Sequence, residues 1–502
     1  KYRRDITRVV TDLAREYQMT FFKFDGFCAS CEAEGHGHLP GAYAKEANID
    51  AFIELLQAVR HGRPNVFLDP TCGIWLSPWW LPYADALVHH DHHALWIDGS
   101  DPRRLILGND GGINLSGDGG RSWSKIGNLS IAQCYTVTAD NESPANIFIG
   151  TQDNGVLACR SATPGAGGQA AWRMLLGGDG AYVAPRPGTP SMLFAAAQFG
   201  ALVRFEAGDR KPVPIKPRSP QAYEPYRFNW LSPLLVSMPP AREILFGANM
   251  VLRSIDNGSS WEEISPDLSE RRNVAGSTPF ATVTALAESG PRPGHLYAGT
   301  DDGNVWMTDD DGAAWRPINA GLPPKWVSRL EASPHDANRV YLALTGYRED
   351  DFQTYLFRSR DRGLTWEPIS GNLPAESVNV VREDPEMARL LYIGTDQGGV
   401  YASADDGATW SSLCADLPPV AIHDLAVQTE EDELVAATHG RGVFTLDIIP
   451  VRAATPEVFA GAGHLFGIKP ARRPESRDYR GDWIWETLRP AAIHFFFREA
   501  VR

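Results

Sequence analysis

The chain has 502 residues, of which 43% are hydrophobic, and its 47 Gly and 37 Pro are typical of a turn-rich β protein. The formal charge of −15 at pH 7 argues against a nucleic-acid polyanion as the main partner. No apolar run approaches the roughly 18 residues that are needed to span a bilayer. The six cysteines are scattered, which excludes a disulfide scaffold.

Residues 1–88 carry a pattern of alternating helices and strands. Apolar residues have helical spacing over 6–13 and again over 49–59, and a His-Gly pair closes the second helix. Residues 20–25 and 65–69 have the composition of buried strands. The order helix, strand, helix, strand is typical of an α/β unit with parallel strands, so we predict a short α/β segment here.

An eight-residue phrase, Ser/Thr-x-Asp-x-Gly-x-x-Trp, occurs five times in the next segment, residues 89–447. The last four copies are spaced by roughly 45–55 residues, which indicates a repeat architecture. The aspartates of this octapeptide are Asp118, Asp256, Asp310, Asp361 and Asp405, and its tryptophans are Trp123, Trp261, Trp315, Trp366 and Trp410.

Each fixed position of the octapeptide has a structural role. The Asp carboxylate can accept backbone N–H groups across a tight turn, the Gly permits a positive φ, and the Trp offers apolar surface to a neighbouring sheet. These aspartates are therefore predicted to be structural and not catalytic. The phrase is the Asp-box of a class of β-propellers, so we predict a mainly β fold built on an Asp-box β-propeller.

The number of blades is left open between seven and eight. Eight strand units can be counted, and the last stops after its third strand near Asp447. Such an incomplete unit is what ring closure produces when an earlier segment supplies the missing strand. The segment has about 359 residues, and at roughly 45–50 residues a blade this length fits either number. Residues 448–502 lack the repeat and predict an extended linker, followed by one strong strand at 491–497 that has no obvious partner.

Strand parity locates a candidate binding face. In a four-stranded blade, the turn between the second and third strands lies on the same face as the linkers between blades, and the octapeptide turn lies on the opposite face. Polar residues of these turns and linkers are predicted to gather at one end of the channel, although any single Asp-Gly pair also makes a good hairpin turn. The predicted ligand-binding residues are Asp91, His92, His93, Asp110, Gln152, Asn154, Arg227, Asn229, Trp230, Asp301, Asp396, His439 and Arg441.

Two clusters contain the side chains of metal ligands. In the run from His89 to His93, adjacent side chains of a strand point to opposite faces, so a linker with a buried histidine is favoured over a metal site. A second cluster has zinc ligand types, but its Cys-to-His spacing is tighter than in the usual zinc sites. We predict no metal and no cofactor, with Cys28, Cys31, His36 and His38 as weak candidates. The other cysteines, Cys72, Cys134, Cys159 and Cys414, are predicted to be small core residues.

Several phrases between residues 89 and 470 occur in combination. They include Asp-His-His-Ala-Leu-Trp-Ile at 91–97, Gln-Asp-Asn-Gly at 152–155, Tyr-Arg-Phe-Asn-Trp at 226–230 and Thr-His-Gly-Arg-Gly at 438–442. Together they resemble the bacterial sortilin-like (VPS10-type) Asp-box, or BNR-repeat, propeller proteins. The resemblance implies binding of a peptide or glycan, an extracytoplasmic location (periplasmic or secreted) although this chain shows no signal-peptide pattern, and a following β-sandwich that the final strand would begin.

The N-terminal segment contains Lys-Phe-Asp at 23–25, where a strand ends, and Thr-Cys-Gly-Ile-Trp-Leu-Ser-Pro-Trp-Trp at 71–80. These phrases resemble part of a (β/α)8-barrel of the α-galactosidase-like glycosidases. The resemblance implies that Asp25 takes the place of the nucleophilic carboxylate. A retaining glycosidase needs two carboxyl groups about 5–5.5 Å apart in a closed barrel. Residues 1–88 supply only two or three strands of such a barrel, so this segment is expected to be a remnant or fusion.

Two functional hypotheses follow. The first is a ligand-binding or scaffold propeller that holds a peptide or glycan on its channel face, without nucleic acid and without a membrane span. The second is a glycoside hydrolase that acts on a polysaccharide or oligosaccharide through paired carboxylates. Its candidate catalytic residues are Asp153 and Asp179 in the propeller and Asp25 in the N-terminal segment.

Overall fold

A computed structural model describes residues 2–19, 21–24, 45–64, 66–70, 91–126, 129–161, 172–189, 191–206, 211–221, 224–237, 243–269, 281–413, 417–454, 458, 460–467 and 494–497. The chain divides into two compact units, Lys1–Leu129 and Ser130–Arg502. Each unit is described by itself. The predicted boundaries at residues 88 and 447 stay predictions.

The first unit begins with the predicted α/β pattern. Helix α1 (Tyr2–Glu16) precedes strand β1 (Phe21–Phe24), and helix α2 (Lys45–Gly62) precedes strand β2 (Phe67–Pro70). The two strands are parallel, with Phe21 opposite Phe67, because a helix connects them. Buried apolar residues of both helices and of β2 form one core, which includes Ala14, Leu56, Val59 and Leu68. The predicted order and parallel pairing of these elements are confirmed.

A four-stranded antiparallel sheet completes the described part of the first unit. Its strands are β3 (His92–Ile97), β4 (Leu105–Asn109), β5 (Gly112–Ser116) and β6 (Ser124–Lys125), paired in chain order. The sheet includes the first octapeptide. In this copy the indole Nε1 of Trp123 is buried and has no hydrogen-bond partner among the described residues.

Within residues 130–447, the described part of the second unit forms seven antiparallel sheets, each built from strands consecutive in the chain. The first three contain β7 (Cys134–Ala139), β8 (Asn146–Thr151), β9 (Gly155–Arg160) and β10 (Arg173–Leu176); β11 (Gly180–Pro185), β12 (Met192–Ala197), β13 (Ala201–Glu206) and β14 (Val213–Pro214); and β15 (Leu234–Val236), β16 (Ile244–Gly247), β17 (Val251–Ser254) and β18 (Glu262–Glu263).

The next three sheets also have four strands, and the last has three. They contain β19 (Val283–Glu288), β20 (Leu296–Thr300), β21 (Val305–Thr308) and β22 (Arg316–Pro317); β23 (Trp326–Ala332), β24 (Val340–Gly346), β25 (Asp351–Ser359) and β26 (Glu367–Pro368); β27 (Val378–Glu383), β28 (Leu391–Thr395), β29 (Val400–Ser403) and β30 (Ser411–Ser412); and β31 (Ile422–Gln428), β32 (Glu433–Thr438) and β33 (Gly442–Asp447).

The first strands of these seven sheets follow one another in a closed cycle. Strands β7, β11, β15, β19, β23, β27 and β31 each contact the next, and β31 contacts β7 again. The apolar cores lie between consecutive sheets; one of them places Tyr297 and Met307 of one sheet against Val340 and Leu342 of the next. The predicted class, a mainly β propeller, is therefore confirmed. The number of blades in the whole fold stays a prediction.

Four of the octapeptide turns connect their sheet to the one before it. In the copy 254–261, the Ser254 hydroxyl donates to Asp256 Oδ1 at 2.9 Å, and the backbone N–H of Ser260 donates to the same oxygen at 2.8 Å. Gly258 has φ of 84°. The indole Nε1 of Trp261 donates to the carbonyl of Ile215 in the preceding sheet at 2.9 Å. The same indole bond joins Trp315 to Ile264 at 2.7 Å, Trp366 to Ile318 at 2.6 Å and Trp410 to Ile369 at 2.8 Å.

The C-terminal segment differs from its prediction in two respects, a short helix in the predicted extended linker and a partner for the final strand. Helix α3 (Ile449–Ala453) follows the last sheet, and the final strand β35 (Phe495–Phe497) has a partner, the antiparallel strand β34 (Gly463–Leu465). In the described part of the chain, no helix has the length and apolar composition needed to cross a bilayer.

Candidate functional site at the channel mouth

The turns between second and third strands lie beside the linkers that lead into the first strands. The backbone N–H of Gln152 donates to the carbonyl of Gln133 at 3.0 Å, and that of Asp396 donates to the carbonyl of Ser377 at 3.0 Å. The equivalent bonds in other sheets join Gln198 to Asp179, Asp301 to Thr282 and His439 to Ala421. These turns and linkers occupy one end of the ring in the second unit, which we call the channel mouth.

Tyr135, near the start of β7, contacts several polar groups of the channel mouth. Its hydroxyl donates to Gln152 Oε1 at 2.8 Å, and its ring stacks on that of His439 with centroids 5.8 Å apart. Burial, followed by the charge of Asp179, raises the pKa of the Tyr135 phenol, which therefore stays protonated. His439 also stacks on His423 at 4.2 Å. Burial and the adjacent His439 lower the pKa of His423 to about 3, so this imidazole is neutral at pH 7.

A second group of aromatic side chains lies next to Tyr135. The indole of Trp230 lies near the Tyr135 hydroxyl and packs edge-on against Phe199, with ring centroids 4.9 Å apart. Phe199 has a φ of 57° and is 38% exposed, and its carbonyl accepts a 2.8 Å bond from Lys216 Nζ. A left-handed φ is unfavourable for an aromatic residue, so the local fold holds this ring in place at the surface.

Arg348 lies at the tip of the hairpin between β24 and β25. Its guanidinium stacks over the ring of Trp326 at 3.9 Å and over the ring of Tyr347 at 4.5 Å. The side chain is exposed, yet enough protein surrounds it that desolvation lowers the pKa of the guanidinium, against the charges of Asp301 and Asp396. Within the described residues, the guanidinium has neither a hydrogen-bond partner nor a salt bridge.

Three of the predicted ligand-binding residues bond instead to the protein itself. Asp301 is 8% exposed, and its carboxylate accepts the backbone N–H and the hydroxyl of Thr282, both at 2.9 Å. Asn229 donates to the Thr282 hydroxyl at 2.8 Å. Arg227 donates to Asp267 Oδ2 at 2.8 Å. Burial raises the pKa of Asp301 to about 6. The arrangement indicates that these residues hold linkers in place.

The candidate catalytic carboxylates Asp153 and Asp179 are adjacent. Asp179 is 6% exposed, and its Oδ1 accepts the backbone N–H of Asp153 at 2.8 Å. Its own N–H donates to Gln198 Oε1 at 2.9 Å. Asp153 has φ of 58°, and Asn154 turns its side chain to the carbonyl of Gln152 at 3.1 Å. The Asp179 carboxylate thus fixes the turn that carries Asp153.

Other predicted residues lie elsewhere. In the first unit, His93 Nε2 lies 2.7 Å from Asp110 Oδ1, His92 is 2% exposed, and the N–H of Asp110 donates to the carbonyl of Asp91 at 3.3 Å. In the second unit, Arg441 is exposed, and its backbone N–H donates to the Thr438 hydroxyl. Cys134 and Cys159 are free and buried, as expected of core residues. The described residues do not include Asp25, Cys28, Cys31, His36, His38, Cys72 or Cys414.

An ionic cluster that we did not predict lies among the first strands. Asp424 on β31 is 2% exposed, and its Oδ1 accepts bonds from Arg329 on β23 at 2.9 Å and from Arg382 on β27 at 3.0 Å. Arg382 also pairs with Glu331 at 2.9 Å, and burial raises the pKa of that Glu331 carboxyl. The pair Arg329–Asp424 connects strands that are not neighbours in the cycle. Charged side chains therefore fill the channel between these strands.

No protein-family model matches the chain, and no curated protein does. Solved structures are similar at low identity. YCF48 bound to D1 peptide is 14% identical with a TM-score of 0.44, over 64% of this chain and 94% of that one. The computationally designed Ika8 protein is 13% identical with a TM-score of 0.41, over 72% and 98%. An ancestral GH74 enzyme is 16% identical with a TM-score of 0.42, over 71% of this chain and 53% of the enzyme. At such identities these likenesses say nothing about the ligand of this chain.

Proposed function

We propose that the second unit is a peptide-binding module and that its ligand binds at the channel mouth. The observation that carries this proposal is the guanidinium of Arg348, stacked on Trp326 and Tyr347 and without a hydrogen-bond partner among the described residues. Stacking fixes the plane of a guanidinium and leaves its N–H groups directed outward, which suits recognition of a carboxylate or a peptide carbonyl.

The neighbouring surface suits the apolar part of a peptide. Tyr347 and Phe199 are both 38% exposed, and Phe352 on the same hairpin as Arg348 is 48% exposed. Aromatic rings held by their surroundings give a large contact area at a small entropic cost. The phrases that resemble sortilin-like propellers favour the same type of binding module.

The carboxylates support hydrolysis less well. A glycosidase requires two carboxyl groups that reach the scissile bond from a groove. The Asp301 carboxylate is buried and bonded to Thr282, and Asp179 uses one oxygen to hold the turn at Asp153. The mouth thus offers its aromatic and cationic groups to a ligand more readily than it offers a pair of acids.

A display library of random dodecapeptides, selected on the immobilised full chain, tests the proposal. Peptides recovered by the wild type are synthesised, and their affinities are measured by isothermal titration calorimetry. We expect Arg348→Ala to weaken binding by about tenfold or more, because a charge-assisted bond is lost. Arg292→Ala is the matched control. Arg292 is exposed on the β19–β20 turn, at the end of its sheet away from the channel mouth.

Three outcomes would contradict the proposal. The first is that the library yields no enriched peptide. The second is that Arg348→Ala and Arg292→Ala bind the recovered peptides equally well. The third is that a glycan array gives binding and the chain releases reducing sugar, with the activity lost in Asp153→Asn or Asp179→Asn. That third result would establish the hydrolase instead.

A further inference from the structure

The hairpin between β24 and β25 is longer than its counterparts in the second unit. In the sheet of β19–β22 the ladder between the second and third strands ends with Gly299 opposite Val305. In the sheet of β23–β26 the ladder continues to Gly346 opposite Asp351, and a 3-10 turn over Tyr347–Glu349 closes the hairpin. The extra length carries Tyr347 and Arg348 to the channel mouth.

One lysine holds both sides of this hairpin tip. The Nζ of Lys325 lies 2.7 Å from Glu349 Oε2 and 2.9 Å from Asp351 Oδ2, although its own side chain is only 16% exposed. The Asp351 carboxylate also accepts the hydroxyl of Tyr355 at 2.9 Å and the backbone N–H of Gln353 at 3.1 Å. The two carboxylates raise the pKa of Lys325, so the ammonium is charged at pH 7.

The lysine and the stacking platform of Arg348 are consecutive in sequence. Trp326 follows Lys325 directly and is the first residue of β23, where it pairs with Thr345 of the hairpin. Lys325 thus fixes the acidic flanks of the tip while the adjacent Trp326 ring supports the guanidinium. This arrangement orients Arg348 even when the ligand contacts neither the Lys325 ammonium nor its two carboxylate partners.

We propose that Lys325 is a positioning residue that sets ligand specificity at the channel mouth by holding the 346–351 hairpin so that Arg348 faces the ligand. This inference rests on the proposed peptide-binding function, and it assigns selection of the ligand to this one hairpin. Holding a recognition group in its binding geometry before the ligand arrives reduces the entropic cost of binding. The ligand should therefore gain affinity from Lys325 without touching it.

The test uses the full chain and peptides recovered from the dodecapeptide library. Lys325→Met removes the ammonium and keeps the aliphatic chain, Lys325→Arg keeps the charge, and Lys211→Met is the control on an exposed lysine before β14. We expect Lys325→Met to weaken binding about tenfold and Lys325→Arg to restore it to within about threefold. Backbone hydrogen exchange over residues 346–351 should rise in Lys325→Met and stay unchanged in Lys211→Met.

The double variant separates positioning from a general loss of structure. If Lys325 acts only through Arg348, Lys325→Met costs no further affinity in an Arg348→Ala background. An additional loss there, or wild-type affinity in Lys325→Met, would overturn the inference and leave peptide binding intact. If the wild type recovers no peptide at all, both proposals fail.

Discussion

Asp424 Oδ2 accepts the backbone N–H of Val137 at 3.2 Å, which links the last sheet of the second unit to the first. The same carboxylate holds Arg329 and Arg382 through its other oxygen. With these donors, the buried carboxylate has its hydrogen-bonding capacity satisfied. One side chain therefore links several strands. Asp424 is one of several groups that close the ring here, together with Gln428, which donates to the carbonyl of Asp140, and an apolar cluster that includes Val137 and Val435.

Asp424→Asn is expected to destabilise the second unit strongly. The amide keeps the volume of the carboxylate but leaves the buried Arg329 guanidinium without a counter-charge and Arg382 with Glu331 alone, which costs about 3–5 kcal/mol. Chemical denaturation followed by far-UV circular dichroism measures the change. Glu430→Gln removes an exposed acid six residues away and should change the free energy of unfolding by less than about 0.5 kcal/mol. Equal effects of the two variants would show that the cluster contributes no stability.

The indole bonds of the octapeptides should be measurable one at a time. Trp366→Phe removes the 2.6 Å bond to the Ile318 carbonyl and leaves that carbonyl unsatisfied, at a cost of about 1–3 kcal/mol. In Trp123 the same substitution removes an N–H that has no partner among the described residues. We therefore expect Trp123→Phe to cost less than Trp366→Phe. Equal costs would mean that the carbonyl bond is not the stabilising feature.

The octapeptide glycines combine a positive φ with close contact to the preceding sheet. A Cβ on Gly258, at φ of 84°, would lie 2.5 Å from Ile215 Cδ1. Gly258→Ala should cost about 2–4 kcal/mol, from backbone strain and overpacking together. Gly442 has φ of 75° and no atom within 4 Å of such a Cβ, so Gly442→Ala isolates the strain at about 1–2 kcal/mol. A larger loss of thermal stability in Gly442→Ala than in Gly258→Ala would contradict this account.

Asp301 should make the second unit more stable in mild acid. Its pKa is about 6 in the folded chain against 3.8 in the reference state, so between these values the folded state holds a proton that the unfolded state lacks. The free energy of unfolding therefore rises as the pH falls from about 6 to about 4, and the gain is complete below the lower value. Asp301→Asn should flatten the stability profile in this window, whereas Glu430→Gln, at an exposed acid on another sheet, should leave its slope unchanged.

The sequence was informative where local geometry determines structure. The octapeptide predicted its own turn, since Asp256 and Gly258 act within eight residues. The alternating direction of the four strands in a blade predicted that the turns at Gln152 and Asp396 lie beside linkers. The predicted pattern of helices and parallel strands around β1 and β2 followed from helical spacing and strand composition.

The other features of the site depend on contacts between residues that the repeat pattern does not predict. Arg329 and Asp424 are 95 residues apart and meet only because the sheets close on themselves. Arg348 lies in an insertion after β24 that interrupts the repeat. The order of strands within a repeat therefore did not predict where Arg348 lies. The burial of individual side chains could not be predicted from the sequence either. Asp301 has the sequence context of an exposed hairpin turn, yet its carboxylate is bonded to Thr282. The resemblance to sortilin-like and α-galactosidase-like proteins stays a prediction.

The last sheet of the second unit has three described strands, and Gln133 and His439 form the one isolated β-bridge recorded beside it. The polypeptide itself connects every other pair of neighbouring sheets in the cycle, whereas this seam is held by hydrogen bonds such as that from Gln428 to Asp140 and by an apolar cluster. Under mechanical load or in dilute denaturant, we expect the toroid to part at this seam before any individual sheet unravels. A ligand that contacts both Tyr135 and His439 would bind across the seam and would therefore slow its separation.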